Sequence, residues 1–199
     1  MPNMSRTTFI STTAFVLAFF HSAIADEENL KPLSTPQCQI PGLSVLAPSP
    51  WYSVPIDSDE PMVEGCQMIW EEGEQYMGIM RLVSFEANGI PDAGVKWENY
   101  VVGFESMVMD EMNIEVGQPI WKRESVPITG EGFANAKAIG LEAKLRGVDH
   151  PNEVHFLLFE NATHKYVISM LTPAKSVSPE VYDTNTKAMG TVMRTLQPR

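Results

Sequence analysis

The widest chemical repertoire in this chain belongs to three histidines, His150, His155 and His164, with Asp149, Glu153 and Glu160 close by in sequence. Imidazoles and carboxylates are the groups from which zinc sites and general acid–base pairs are built. Their spacing argues against a shared centre. If residues 153–160 form a strand, His155 points to the same face as Leu157 and Phe159, whereas His150 and His164 fall in turns at its two ends, roughly 20 Å or more apart. Ordinary loop and sheet histidines are the expectation, with no metal ligand assigned. The chain also has no Gly-x-Ser-x-Gly elbow, phosphate loop or dinucleotide fingerprint, so no catalytic residue and no cofactor is assigned either.

Cys38 and Cys66 are the two cysteines. An even number in an exported chain points to one structural bridge. Closing a loop of about 28 residues would contribute ~3.5 kcal/mol in the chain-entropy treatment. As a zinc site the pair fails, because no further Cys or His stands at ligand spacing. The acidic stretch with Asp57, Asp59, Glu60, Glu64, Glu71, Glu72 and Glu74 lacks the alternating ligands and the glycine of a calcium loop. It reads as a solvated face. Asp57, Asp59, Glu60, Glu71, Glu72 and Glu74 are the candidate contacts for a basic partner, acting by electrostatic steering. Met77, Met80, Met107, Met109, Met112, Met170, Met189 and Met193 are expected to fill core gaps. Asn161-Ala-Thr163 matches a glycosylation acceptor and equally a turn built on its own side chains.

The elements that must position these residues follow from periodicity. Leu43 to Ala47 alternates like a strand and stops at Pro48 and Pro50, and Trp51 to Val54 is a second short extended piece. A Pro-rich acidic loop, 55–64, leads to a hairpin of 67–70 and 75–85. Between Val95 and Met112, Trp97, Tyr100, Val101, Phe104, Met107, Val108 and Met112 recur at helical steps. Extended segments return at 114–128, 136–145, 153–160 and 164–171. Ser178-Pro179 is a helix start, and Val181, Tyr182, Ala188, Met189, Val192, Met193 and Leu196 carry the stripe of a last helix. Across the turn at 161–163, Leu157, Phe159, Tyr166, Ile168 and Met170 share one face, and Val154, Phe156, Leu158, Val167 and Leu171 the other. Both faces are apolar, which places this hairpin mid-sheet with cover above and below. Ile139, Leu141, Ala143 and Leu145 alternate with Gly140, Glu142, Lys144 and Arg146, a half-exposed strand. The expected fold class is α+β, a largely antiparallel sheet with helices on both faces, an α/β/α sandwich.

This order of elements resembles the PsbP-like fold, named for an extrinsic photosystem II subunit, over nearly the whole chain after residue 40. The local similarities are Pro41-Gly-Leu-Ser-Val-Leu-Ala-Pro-Ser-Pro-Trp51, Tyr166-Val-Ile-Ser-Met-Leu-Thr-Pro-Ala174 and Met189-Gly-Thr-Val-Met-Arg-Thr-Leu196. That resemblance also brings in a Ran-binding nucleotide-release factor and DcrB-type bacterial envelope proteins. It implies the fold and no shared chemistry, and no site residue is carried over from it.

Arg6, an apolar run from Ala14 to Phe20 and Ala23-Ile24-Ala25 before Asp26-Glu27-Glu28 have the layout of a secretory signal. The expected division is a signal peptide at 1–25, an N-terminal arm at 26–40 and a single domain at 41–199. With Lys+Arg 14 against Asp+Glu 25 and a formal charge of −11, the surface repels nucleic acid and anionic membranes. The functional expectation is an exported, non-enzymatic binding or assembly protein of the cell envelope, periplasmic if bacterial and otherwise secreted, with a protein partner. Alternatives are an inhibitor or immunity-type protein against a secreted enzyme, or a small periplasmic enzyme whose site is assembled from distant residues.

Overall fold

In the computed structural model the described residues are 31–32, 40–56, 63–72, 75–90, 96–128 and 132–198. Residues 1–25, on which the expected signal peptide falls, lie outside them, as does most of the expected arm.

In chain order the elements are β1 (Lys31–Pro32), β2 (Leu43–Ser44), β3 (Leu46–Ala47), β4 (Tyr52–Pro55), β5 (Val63–Glu72), β6 (Gln75–Glu86), α1 (Trp97–Glu111), β7 (Ile114–Arg123), β8 (Ala134–Leu145), β9 (Asn152–Glu160), β10 (His164–Pro173), α2 (Pro179–Arg194) and β11 (Gln197–Pro198). A seven-stranded sheet runs β4-β5-β6-β10-β9-β8-β7, antiparallel at every pairing. With two helices on such a sheet, the chain is α+β as its periodicity predicts.

The β9–β10 hairpin occupies the middle because neither of its faces tolerates water. Leu157, Phe159, Tyr166, Ile168 and Met170 belong to one core, shared with Val181, Ala188 and Val192 of α2. Val154, Phe156, Leu158, Val167 and Leu171 belong to a second core, shared with Val101 and Met109 of α1. The division by parity is the one read from the sequence. Burying each of these large side chains contributes about 1.5–3 kcal/mol. In β8, Leu141 and Ala143 are buried while Glu142 and Lys144 are exposed, the expected half-exposed alternation.

One expected strand comes out differently. The segment 43–47 is broken into β2 and β3, which stay out of the main sheet: β3 pairs with β1 and β2 with β11. The cause is its position over the end of α2. Leu43, Val45 and Ala47 fill the core beneath that helix, and the Thr195 hydroxyl both accepts from Leu46 N–H (3.1 Å) and donates to its carbonyl (3.3 Å). Alternation was correctly seen; its partner was a helix end.

Candidate functional site

A cavity of about 590 Å³ opens at one end of the sheet, inside the roughly 300–1,000 Å³ range of small-ligand sites. Seven elements meet there. The start of β6 and the end of β10 supply Ile79 and Leu171, β5 supplies Ile69, and the start of β7 supplies Ile114. The turn after β8 adds Val148, and the first turn of α2 adds Val181. The space exists because α1 stops short of this end. Asn113 takes a left-handed φ of 63° directly after the last turn, so the chain reverses into β7 and leaves the sheet uncovered beyond it. The β8–β9 turn is closed by Val148 N–H to Leu145 C=O (3.1 Å), with Gly147 at φ 84°, a backbone position suited to glycine.

Polar groups interrupt this apolar lining, among them Gln67, Asn113 and Thr172. Arg146, His150, Asn152 and Ser178 all line the cavity. The backbone explains their proximity: Ala174 N–H donates to Pro151 C=O (3.0 Å) and Ser178 N–H to Ala174 C=O (3.2 Å), which holds the start of α2 beside the β8–β9 turn. Two of the four have unused capacity. Ser178 is 8 % exposed, yet its hydroxyl makes no capping bond to the helix it begins. Among the described residues no carboxylate stands within ion-pair distance of Arg146.

Glu71 and Glu72, expected as partner contacts, are exposed at the end of β5. Glu71 is registered with Tyr76, an exposed residue that lines the cavity, so the acidic end of the hairpin borders the opening. Tyr52 stands beside them, its hydroxyl held above its ordinary value by desolvation and then by the hydrogen bond and charge of Glu71. Asp57, Asp59, Glu60 and Glu74 lie outside the described residues. Cys66 is buried in β5; its expected bridge involves Cys38, which is also outside them.

The histidines are dispersed as their spacing implied: His150 precedes β9, His155 is inside it, and His164 begins β10. Among the described residues no group of three or more His, Cys, Asp or Glu side chains is arranged to hold a metal ion. His155 is buried between the rings of Trp121 (5.0 Å, 76°) and Tyr182 (5.5 Å, 78°), with Nε2 at 2.8 Å from Glu153 Oε2. Burial pushes its pKa below 6.5, and Glu153 opposes that shift. Trp121 can lie flat there because the facing residue is Gly140, where any Cβ would collide with the indole. Asn161 is used by its own turn: Oδ1 accepts from the N–H groups of Thr163 (2.9 Å) and His164 (2.8 Å), and Nδ2 donates to the Tyr166 hydroxyl (2.9 Å).

Sequence reasoning missed a buried polar triad. Arg81 of β6 donates through Nε (3.0 Å) and Nη2 (3.3 Å) to Glu105 of α1, and the Ser169 hydroxyl of β10 donates to the same carboxylate (2.8 Å). Its signal was available, since Glu105 interrupts the buried stripe Val101, Glu105, Met109 and Arg81 interrupts an apolar strand. Nothing in the sequence marked Arg146, whose role depends on where a turn places it.

No protein-family model matches the chain, and no curated protein matches it. Among solved structures it is similar to cyanobacterial PsbP from Synechocystis, determined in solution, at 15% identity and a TM-score of 0.44, covering 87% of this chain and 96% of that one. It is also similar to a crystal structure from Bacteroides thetaiotaomicron at 13% identity and a TM-score of 0.42, covering 82% of this chain; the chain spans about half, 49%, of that protein's length. No helix among the described residues is long and apolar enough to cross a membrane.

Proposed function

We propose that this chain is an exported, non-catalytic binding protein of the PsbP-like α/β/α type, with its helices on opposite faces of the sheet and a Cys38–Cys66 bridge holding the N-terminal arm. It holds a partner at the cavity, and the acidic end of the β5–β6 hairpin contributes to the encounter. The observation that carries this reading is the cavity itself: a space of about 590 Å³ lined mainly by apolar side chains, with a few polar groups and the exposed Tyr76 among them. Such convergence is the usual form of a ligand site. In support of a non-catalytic reading, no base among the described residues is hydrogen-bonded to the Ser178 hydroxyl, and the His155–Glu153 pair beside the lining residues Asn152 and Thr172 is packed against the rings of Trp121 and Tyr182.

The test fills the cavity. Val148 is half-buried in a turn, so Val148→Trp adds bulk to the lining with little demand on the core. Capture from extracts on wild-type and Val148→Trp chains of equal melting temperature is expected to lose the bound species with the variant. Equal capture by both, or saturable turnover of an extract component by the wild-type chain, would contradict the proposal.

A further inference from the structure

The polar groups in the lining at Arg146 and the start of α2 bear on what could enter the cavity. Three features there favour negative charge. Arg146 has no carboxylate partner among the described residues, in a chain whose formal charge is −11. Its guanidinium is thus a free, permanently charged donor in a protein with acids in excess. The second feature is the N-terminus of α2, a 16-residue helix whose first turn reaches the cavity through Ser178 and Val181. Pro179 has no N–H, so the donors here are the N–H groups of Glu180 and Val181, and the Glu180 side chain in the same turn offsets part of the helix's positive end. The third is Ser178, a residue 8 % exposed in the lining, whose hydroxyl makes no capping bond and is a donor available to an entering acceptor. The opposite requirement comes from Ile69, Ile79, Ile114, Val148 and Leu171, which offer only hydrocarbon.

We infer that the cavity takes a single-chain amphiphile with a carboxylate head, of the fatty-acid class. The head lies against Arg146 and the start of α2, and the hydrocarbon chain lies over the isoleucines and Leu171. The inference rests on the cavity being the binding site, as proposed above.

Calorimetric titration of the full chain with octanoate, decanoate and dodecanoate, all below their micelle concentrations, tests it. Saturable one-site binding is expected, tightening roughly three- to four-fold per methylene until the space is full. Arg146→Gln should weaken dodecanoate about tenfold or more, Ser178→Ala should weaken it by a smaller factor, and Val148→Trp should abolish it. Dodecyltrimethylammonium, with the same chain and the opposite head, should not saturate. Equal binding of the two heads, or undiminished binding to Arg146→Gln, would overturn the assignment of an anionic head. Undiminished binding to Val148→Trp would place the amphiphile elsewhere and overturn the inference. If no carboxylate binds although Val148→Trp still loses the captured partner, the amphiphile class falls and the cavity reading stands.

Discussion

Two arginines show how differently this chain treats polar groups near apolar surface. Arg81 lies between β6 and α1 and is closed on itself: Glu105 meets it through two hydrogen bonds, and Ser169 takes up a further position on the carboxylate. Arg146 stands in a turn at the cavity, has no carboxylate partner among the described residues, and shares the lining with a buried serine that leaves its helix uncapped. In the first network the guanidinium and the serine hydroxyl are both committed to one buried carboxylate, which ties β6, α1 and β10 together. An unsaturated one beside an apolar space has capacity for a ligand. The contrast separates polar groups committed to a carboxylate of their own from polar groups that line a cavity without one, although both combine a guanidinium, a serine and hydrocarbon.

The largest effect is expected where the closed network is broken. Glu105→Ala leaves Arg81 buried without its anion and should cost about 3–5 kcal/mol in urea unfolding. The double replacement Arg81→Met with Glu105→Leu should recover most of that loss, because apolar residues of similar volume substitute well for a buried pair. If the double variant is as unstable as the single one, the triad has a role beyond neutralising its own charges. Gly140→Val ranks next, at about 1–3 kcal/mol, since the new side chain must displace Trp121 from His155. Tryptophan emission shifted towards that of exposed indole is the accompanying readout.

A smaller effect follows from His155. Its pKa is depressed by burial, so the folded chain keeps it neutral while the unfolded chain takes up a proton near 6.5. Its contribution is therefore complete above about pH 6.5 and is lost as pH falls through the depressed folded value. His155→Gln should flatten the stability difference between about pH 7.5 and about pH 5 relative to wild type. An unchanged slope would mean that the ring is accommodated equally well in both charge states. The smallest effect belongs to the open region: Arg146→Gln should alter stability by no more than about 0.5 kcal/mol. A loss comparable with that of Glu105→Ala would erase the distinction between the two arginines.

Much of the fold was legible because periodicity reports burial. The two apolar faces of 153–171 and the stripes of both helices place β9, β10, α1 and α2 without tertiary knowledge. Segment 43–47 shows the limit: alternation is the same whether a strand meets another strand or the end of a helix. For the site, Glu71 and Glu72 were legible as exposed acids because a hairpin end displays them. Ser178 was legible as a helix start, but its missing cap was not, because capping depends on side-chain orientation. Arg146 reads as one more outward residue of a half-exposed strand. Only the departure of α1 at Asn113 and the turn at Gly147 bring it to a cavity, and both are long-range consequences of how the layers meet.

A partner held at the cavity must make its contacts at the end of the sheet where the β8–β9 turn meets the start of α2. Amide hydrogen exchange of the full chain, alone and with the captured partner, reports this without assuming the partner's chemistry. Slower exchange is predicted at residues 76–79, 145–152 and 171–181, with a lesser effect at Glu71 and Glu72. Protection confined to β7 and to the Trp121–His155–Tyr182 cluster, with the cavity residues unchanged, would contradict the central claim.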